Sequence, residues 1–192
     1  MKDMKEILEL LQEVQDEKLK KTLLFIFGDI KEELMSKPAG IKKHHTSVGG
    51  LYNHIKEVMN IALSLFDSEW ANYNCSRDDV ITASFVHDFN KLDIYVEAPE
   101  WKKIKYGQKF DIKKDLIRVN ESAKTVSICS EYGLIMNDIV LNAITFHHGA
   151  WSVDASSPYG YIETKDFTPL AILLHSADLI SSQILGTVKK EK

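Results

Sequence analysis

Hydrophobic residues recur every three or four positions along most of this chain, the spacing that places them on one face of an α-helix. Two such runs fall within the first 36 residues and predict a helical hairpin, which Pro38 and Gly40 end. Later runs of the same kind predict five more helices. They cover residues 51–66, about 76–90, 116–132, 136–148 and 169–185.

The pattern changes around residues 93–114. Residues that favour β-strands there flank Tyr106-Gly107-Gln108, which predicts a small irregular hairpin or flap. Because helical runs dominate and no internal repeat interrupts them, the chain is predicted to be an all-α helical bundle that forms a single domain over residues 1–192. The hairpin of residues 1–36 is expected to pack on the rest of that domain.

Composition limits the classes of partner. The formal net charge of -4 gives no general attraction to nucleic acid or anionic lipid, so any polyanion must bind a local patch. Cys75 and Cys129 fit neither a disulfide framework nor a zinc finger. No apolar run is long enough to span a bilayer, and the first residues lack a signal-peptide core. We therefore expect a soluble, cytoplasmic protein with no membrane partner. The apolar residues of the first hairpin would also allow the protein to form a homodimer.

His87 and Asp88 stand side by side after the apolar run VITASFV. Both residue types avoid burial unless something pairs with them, and a metal ion pairs with the two together. Since neighbouring residues on an α-helix diverge by about 100°, both side chains reach one ion only from a helix end that faces a cleft. Their predicted position, in the last turn of the helix over residues 76–90, meets this requirement.

Other residues of ligand type lie on separate predicted helices: His54, His147, His148 and Asp178. Imidazole nitrogens together with carboxylate oxygens suit a divalent ion such as Mn, Fe, Ni, Zn or Mg without selecting one of them. Ordinary alternatives exist, because a helical histidine is commonly hydrogen-bonded and histidines at a helix end complement its dipole. Asp178 is less ordinary, since a carboxylate in the apolar segment LLHSADLI needs a partner.

The sequences GGLYNH, HDFNK, TFHHG and HSAD follow one another in this order. In their helical settings they resemble the HD superfamily of metal-dependent phosphohydrolases. The resemblance is closest to the HD domain of bacterial 3′→5′ exoribonucleases and covers most of the chain from Lys37 onward, although the OB domain of those enzymes has no counterpart here. The resemblance implies an HD-type helical bundle.

The resemblance also implies which residues bind metal. The shared primary ligands would be His54, His87, Asp88 and Asp178. A second ion would be held by His147 and His148.

Family members with two ions usually carry one more histidine on the helix before the paired histidines, and this chain has none there. Arg118, Asn120 or Glu121 is what the region offers, and only Glu121 is a strong ligand for a hard metal. The site is therefore expected to hold one ion, or two ions with a carboxylate substitution.

The chemistry of phosphate esters suggests further roles. A divalent ion lowers the pKa of its bound water from 15.7 toward about 7, which creates a nucleophile. Asp88 is expected to bind metal and to orient that water. Lys91 would hold a phosphoryl oxygen, although the helix dipole alone also favours a lysine there. His147 or His148, if not on a metal, would protonate the leaving oxygen.

A basic segment over residues 101–118 carries seven lysines and arginines against two aspartates, with aromatic residues between them. This combination suits phosphate attraction and base stacking, although such runs are commonly only a solvated surface. The weaker candidates for substrate contact are His45, Lys91, Lys102, Lys105, Tyr106 and Trp151.

The sequence thus predicts a metal-dependent phosphohydrolase that uses a metal-activated water on a nucleotide or a short single-stranded nucleic acid. A phosphodiesterase is favoured. Without an OB domain to grip a strand, a nucleoside monophosphate phosphomonoesterase is the first alternative. The second is a non-catalytic binding or regulatory module with a structural metal, which would leave no coordination position open for water or substrate.

Overall fold

The computed structural model describes residues 4–41, 44–68, 72–117, 119–149 and 167–186. Within these ranges the chain is mostly helical, which confirms the predicted all-α class. The α-helices are α1 (Ile7–Gln12), α2 (Glu17–Ser36), α3 (Gly50–Phe66), α4 (Arg77–Val86), α5 (Glu100–Tyr106), α6 (Glu121–Glu131), α7 (Asp138–Phe146) and α8 (Pro169–Ile180). A 3₁₀ turn (Phe89–Leu92) follows α4, and a π-helical turn (Ser181–Leu185) extends α8.

Polar side chains begin several of these helices. Asp16, Ser76, Asn137 and Thr168 each accept a hydrogen bond from a backbone N–H in the first turn that follows. These caps satisfy donors that a helix cannot pair within itself. Pro169 takes the first position of α8, where its missing N–H costs nothing. The predicted starts of α4, α7 and α8 therefore agree with the structure.

Helix α3 lies at the centre of the hydrophobic core. It packs on α2, α4 and α8, and Leu51, Ile55 and Met59 on its apolar face are fully buried. Buried residues of α1 and α2 join the same core. This packing brings the ends of α4 and α8 beside the N-terminal part of α3, so polar residues at those positions meet. The single-domain organisation over residues 1–192, with residues 1–36 packed on it, remains a prediction.

Helix α4 ends earlier than its sequence pattern suggests. The pattern predicts a helix to about residue 90, but α4 ends at Val86 and His87 is its C-terminal cap. Asp88 has φ -111° and ψ 18°, outside the helical range, and opens the 3₁₀ turn. The backbone N–H of Asn90 donates to Thr125 Oγ1 at 3.2 Å. A tertiary hydrogen bond to α6 thus replaces the continuation of the helix.

Helix α6 begins later than predicted. The Asn120 side chain accepts a hydrogen bond from the Ala123 N–H at 3.1 Å and fixes the first turn at Glu121. Residues 116–117 and 119, which the pattern assigned to this helix, precede it as irregular chain. Glu121 is therefore the first residue of α6, which matters for the site.

The predicted hairpin around residues 93–114 is present, with a helix inside it. Strand β1 (Tyr95–Glu97) pairs with β2 (Phe110–Ile112) in antiparallel register, Val96 opposite Asp111. Helix α5 fills the connection and ends at Tyr106. It is followed by Gly107, whose φ of 62° favours glycine. Across the described part of the chain, no helix combines the length and hydropathy needed to cross a membrane.

Candidate metal centre

Ligand atoms from α3, α8 and the end of α4 converge in the core. His54 Nε2 lies 3.1 Å from Asp88 Oδ2 and 3.1 Å from Asp178 Oδ1. His87 Nε2 lies 3.4 Å from both Asp88 Oδ2 and His54 Nε2. Atoms bound about 2.1 Å from one ion, at right angles to each other, lie about 3.0 Å apart. His54, His87 and Asp88 therefore match the spacing of ligands around a single divalent ion, and Asp178 adjoins them through His54.

The outer nitrogens of two of these histidines are already engaged. His87 Nδ1 donates to the Ser84 carbonyl oxygen at 2.9 Å, and His54 Nδ1 contacts Ser181 Oγ at 3.0 Å. With the proton on Nδ1, each Nε2 keeps its lone pair and faces the cluster. Such outer hydrogen bonds are the usual means by which proteins orient a metal-binding imidazole.

A second group shares Asp88. His147 Nε2 lies 4.0 Å from Asp88 Oδ1, and these two buried atoms have no hydrogen-bond partner among the described residues. His147 Nδ1 donates to the Ile144 carbonyl oxygen, which leaves Nε2 as the free acceptor. Asp88, His147 and His148 have ligand atoms close enough for one ion. An unpaired buried carboxylate oxygen facing an unpaired imidazole nitrogen fits a cation between them.

Glu121 lies next to this second group. Its Oε2 lies 3.6 Å from His148 Nδ1. The side-chain oxygen of Asn120 is instead used to cap α6. Arg118 lies outside the described residues. Of the candidates for an additional ligand that the structure describes, Glu121 is thus the one with a carboxylate beside the paired histidines.

Lys91 forms an ion pair with the Asp88 carboxylate. In the 3₁₀ turn, side chains three residues apart lie above one another, and Lys91 Nζ is 2.6 Å from Asp88 Oδ2. Burial alone would raise the pKa of Asp88, but the Lys91 ammonium and the adjacent histidines hold that pKa well below its usual value. Burial disfavours the charged form of Lys91, and the Asp88 carboxylate overrides it and raises the Lys91 pKa.

The weaker substrate candidates fall into two places. His45 lies beside the cluster, but its Nε2 contacts Glu57 Oε2 at 3.0 Å and its side chain is 7% exposed. On the hairpin, Lys102 pairs with Asp111 at 2.6 Å, and the Lys105 ammonium lies over the Tyr106 ring. Within the described ranges, no hydrogen bond, ion pair or ring contact joins these hairpin side chains to the cluster. Trp151 is outside the described residues.

A groove of about 900 Å³ runs between the hairpin and the start of α6. Glu121 lines it and also approaches His148, so the groove opens beside the second group. Asn90 lies on its wall, and both polar atoms of its buried side chain lack a partner within the described structure. Neither the groove nor Asn90 was anticipated from the sequence, because the groove is formed by segments that meet only in the fold.

Two polar residues next to His54 were also missed. Glu57 lies three residues after His54, and Ser181 lies three residues after Asp178. That spacing places each pair on one helical face and was the available signal. Ser181 is fully buried and donates to Glu57 Oε2 at 2.8 Å.

The HD domain family matches residues 51–182, which include every member of the two groups. The chain belongs to the HD domain family. HD domains bind divalent metal ions, and the ligand atoms of His54, His87 and Asp88, and those of Asp88, His147 and His148, are spaced suitably for one. The side chains of this HD domain therefore fit such an ion.

A named relative agrees with this assignment. The chain is 23% identical over 193 residues to the dihydroneopterin 2′,3′-cyclic phosphate phosphodiesterase of Methanocaldococcus jannaschii, an alignment that covers 94% of this chain and 70% of the relative. No solved structure gives a significant match. The family and the relative together support a hydrolase of the HD type. They do not show the predicted relationship to the exoribonuclease HD domain.

Proposed function

We propose that this HD domain is a metal-dependent phosphodiesterase that acts on a nucleotide-like molecule. His54, His87, Asp88 and Asp178 would hold the first ion, and Asp88 would share a second ion with His147, His148 and Glu121. The observation that carries the proposal is the Asp88 carboxylate, whose Oδ2 faces one group of ligands while its unpaired Oδ1 faces the other.

When bound, divalent ions lower the pKa of a coordinated water and offset charge on phosphoryl oxygens. The chain's own residues supply the rest. Lys91, held 2.6 Å from Asp88 Oδ2, has an ammonium that would bind a phosphoryl oxygen as the ester enters. Hydrolysis breaks one P–O bond and forms another to the oxygen of water, so the leaving oxygen needs a proton.

His148 is better placed than His147 to provide that proton. The side chain of His148 is 37% exposed, whereas that of His147 is 3% exposed and faces inward to Asp88. A leaving oxygen that arrives from the groove therefore meets His148 first. In a site with a single ion, this exposure favours His148 as the general acid. In a site with two ions both histidines are ligands, and neither is free to donate that proton.

The groove supports a nucleotide-sized substrate. Its volume of about 900 Å³ falls in the range of small-molecule sites. The Asn90 amide offers a donor nitrogen and an acceptor oxygen that have no partner among the described residues, and such a pair complements the edge of a purine or a pterin. The named relative acts on a cyclic phosphate of a pterin. We therefore place a planar heterocycle in the groove, with its phosphodiester at the metal centre.

A short single-stranded nucleic acid is the second candidate substrate. Trp101 and Tyr106 expose 56% and 60% of their surface on α5, and lysines lie over both rings. Aromatic rings flanked by cations suit stacked bases. This surface favours the predicted likeness to the exoribonucleases, and it is the reason to include RNA in the first assay.

The test is hydrolysis with Mn²⁺ of three substrates in parallel: guanosine 2′,3′-cyclic phosphate, a 5′-labelled single-stranded RNA, and guanosine monophosphate. Opening of the cyclic phosphate, with no phosphate released from the monophosphate, is the expected result. A ladder shortened from the 3′ end would favour the exoribonuclease-like activity instead. Phosphate release from the monophosphate alone would support the phosphomonoesterase. Bound Mn²⁺ without any turnover would overturn the proposal in favour of a binding module.

A further inference from the structure

Two residues on α3 face two residues at the end of α8. His54 and Glu57 are three residues apart on α3, and Asp178 and Ser181 are three residues apart where α8 passes into the π-helical turn. His54 Nε2 meets Asp178, whereas His54 Nδ1 meets Ser181 Oγ at 3.0 Å. The Ser181 hydroxyl donates in turn to Glu57 Oε2 at 2.8 Å. The packing of α8 and its π-helical turn on α3 thus gives each ring nitrogen of His54 a polar partner.

The series of hydrogen bonds from His54 through Ser181 to Glu57 extends to a fourth side chain, that of His45. His45 Nε2 contacts the same Glu57 Oε2 at 3.0 Å, so this oxygen accepts from both sides. Glu57 is partly buried, and burial alone would raise its pKa, but hydrogen bonds from His45 and Ser181 lower it. The carboxylate therefore stays ionised and keeps the Ser181 hydroxyl pointing toward it, which leaves the Ser181 lone pairs for His54.

His45 is held in an unusual conformation. Its φ is 45°, in the left-handed region that few non-glycine residues adopt. A Cβ on Gly186 would collide with the His45 ring, and a Cβ on Gly50 would collide with its carbonyl oxygen. The His45 N–H donates to the Gly186 carbonyl oxygen at 3.3 Å. Backbone strain of this kind persists where the surroundings fix a side chain for a role.

We infer that Ser181, Glu57 and His45 are positioning residues which hold His54 as the Nδ1–H tautomer and so set the affinity of the metal centre for its ion. The hydrogen-bonded chain His45–Glu57–Ser181–His54 is the arrangement by which carboxylates orient metal-binding histidines, here with a serine between the two. The inference rests on the proposed role of His54 as a ligand. The inference gives a role to three residues outside both proposed sets of metal ligands, and none of the three would touch the reacting atoms.

The first test uses the metal-free protein. Long-range ¹H–¹⁵N correlation spectra of histidine side chains report which ring nitrogen carries the proton. In the parent chain His54 Nδ1 should carry a proton whose ¹H signal lies downfield, because it donates to Ser181 Oγ. Ser181→Ala should move that signal upfield, and an unchanged Nδ1–H signal in Ser181→Ala would overturn the inference. This readout does not depend on catalysis or on bound metal, so its failure differs from failure of the proposed function.

The second test is the dissociation constant for Mn²⁺, measured by titration of the full chain. Removal of an outer partner of this kind typically weakens metal binding by about 10-fold to 100-fold. We expect a loss of that size for Ser181→Ala. Ser176→Ala is the matched control, because Ser176 lies on α8 and its hydroxyl donates to the carbonyl oxygen of Ile172 within that helix. Equal affinities of the parent chain and Ser181→Ala would contradict the inference.

Two further variants keep the inference testable if Ser181→Ala does not fold. Glu57→Gln preserves shape and should weaken Mn²⁺ binding less than Ser181→Ala, since an amide oxygen still accepts one hydrogen bond. Gly186→Ala leaves every polar group in place but displaces the His45 ring from Glu57. It should also weaken Mn²⁺ binding. If both variants bind Mn²⁺ as the parent chain does, the inference is wrong.

Discussion

The metal centre and the hairpin contain the same kinds of charged residue but hold them differently. Asp88 and Lys91 lie 2.6 Å apart at the junction of α4 and the 3₁₀ turn, with side chains 2% and 13% exposed. Asp111 and Lys102 also lie 2.6 Å apart, on β2 and α5, with side chains 16% and 26% exposed. One pair is enclosed by histidines from three helices. The other belongs to a small surface element whose helix buries none of its residues.

The two ion pairs have the same length but differ in their exposure to solvent, and exposure determines what each can contribute to function. Interactions between charges strengthen as water is excluded, so each group around Asp88 shifts the properties of its neighbours. An ion pair near solvent contributes little and is screened by salt. Residues on the hairpin are therefore suited to attract a substrate, whereas those around Asp88 are suited to bind and change it. Variants of the two matched pairs make this contrast measurable.

Replacement of Asp88 should have the largest effect. Asp88→Ala removes a ligand from both groups and leaves Lys91 without its carboxylate, so we expect loss of bound Mn²⁺ and a fall in hydrolysis of at least about 1000-fold. Metal analysis and the rate with the cyclic phosphate measure these two effects, and circular dichroism checks that helix content is largely kept. Asp111→Ala is the matched control and should change neither quantity. Retained activity in Asp88→Ala would remove Asp88 from the mechanism.

Replacement of Lys91 should separate catalysis from metal binding. Lys91→Ala leaves every proposed ligand in place but removes the ammonium that would hold a phosphoryl oxygen. We expect kcat to fall by about 100-fold with nearly unchanged Mn²⁺ content. Lys102→Ala serves as the control from the hairpin and should leave kcat unchanged. Equal losses of Mn²⁺ and kcat in Lys91→Ala would show that the lysine mainly supports the metal centre.

The paired histidines test the second ion. A variant with both His147→Ala and His148→Ala retains the four ligands of the first group and should reduce bound Mn²⁺ from about two equivalents to one. Glu121→Ala, which removes only the residue at the edge of this group, should lower the affinity for the second equivalent. Metal analysis after equilibrium dialysis measures both. An unchanged stoichiometry in the double variant would return these histidines to a proton-transfer or structural role.

Much of the fold follows from the sequence because it depends on periodic local patterns. The apolar face of α3 and the caps of α4, α7 and α8 are visible without coordinates. The end of α4 is not, since it depends on a hydrogen bond from Asn90 to Thr125 across 35 residues. Helix α5 was missed for another reason. It buries no residue, so it lacks the apolar stripe by which helices are recognised.

The site shows the same division. Residues whose chemistry is distinctive, such as the His87-Asp88 pair, stand out in the sequence. Glu57 and Ser181 do not, because glutamate and serine on a helix are usually solvated and only the packing of α3 on α8 brings them together across 124 residues. Outer partners of a metal ligand are therefore the part of a site that sequence reasoning finds last.

The smallest expected effect concerns the hairpin. A variant with both Lys102→Ala and Lys105→Ala removes two cations beside exposed aromatic rings. Among the described residues, no contact joins these two lysines to the metal centre. If the hairpin guides a strand, KM for a short RNA should rise about threefold at low salt and less at high salt, since exposed charges are screened. KM for the cyclic phosphate should stay unchanged, because a mononucleotide in the groove does not reach α5. The two KM values, each measured at two salt concentrations, decide between a guide and a solvated surface. A rise for both substrates would mean that the hairpin and the metal centre are not independent, and the contrast between the two matched pairs would fail.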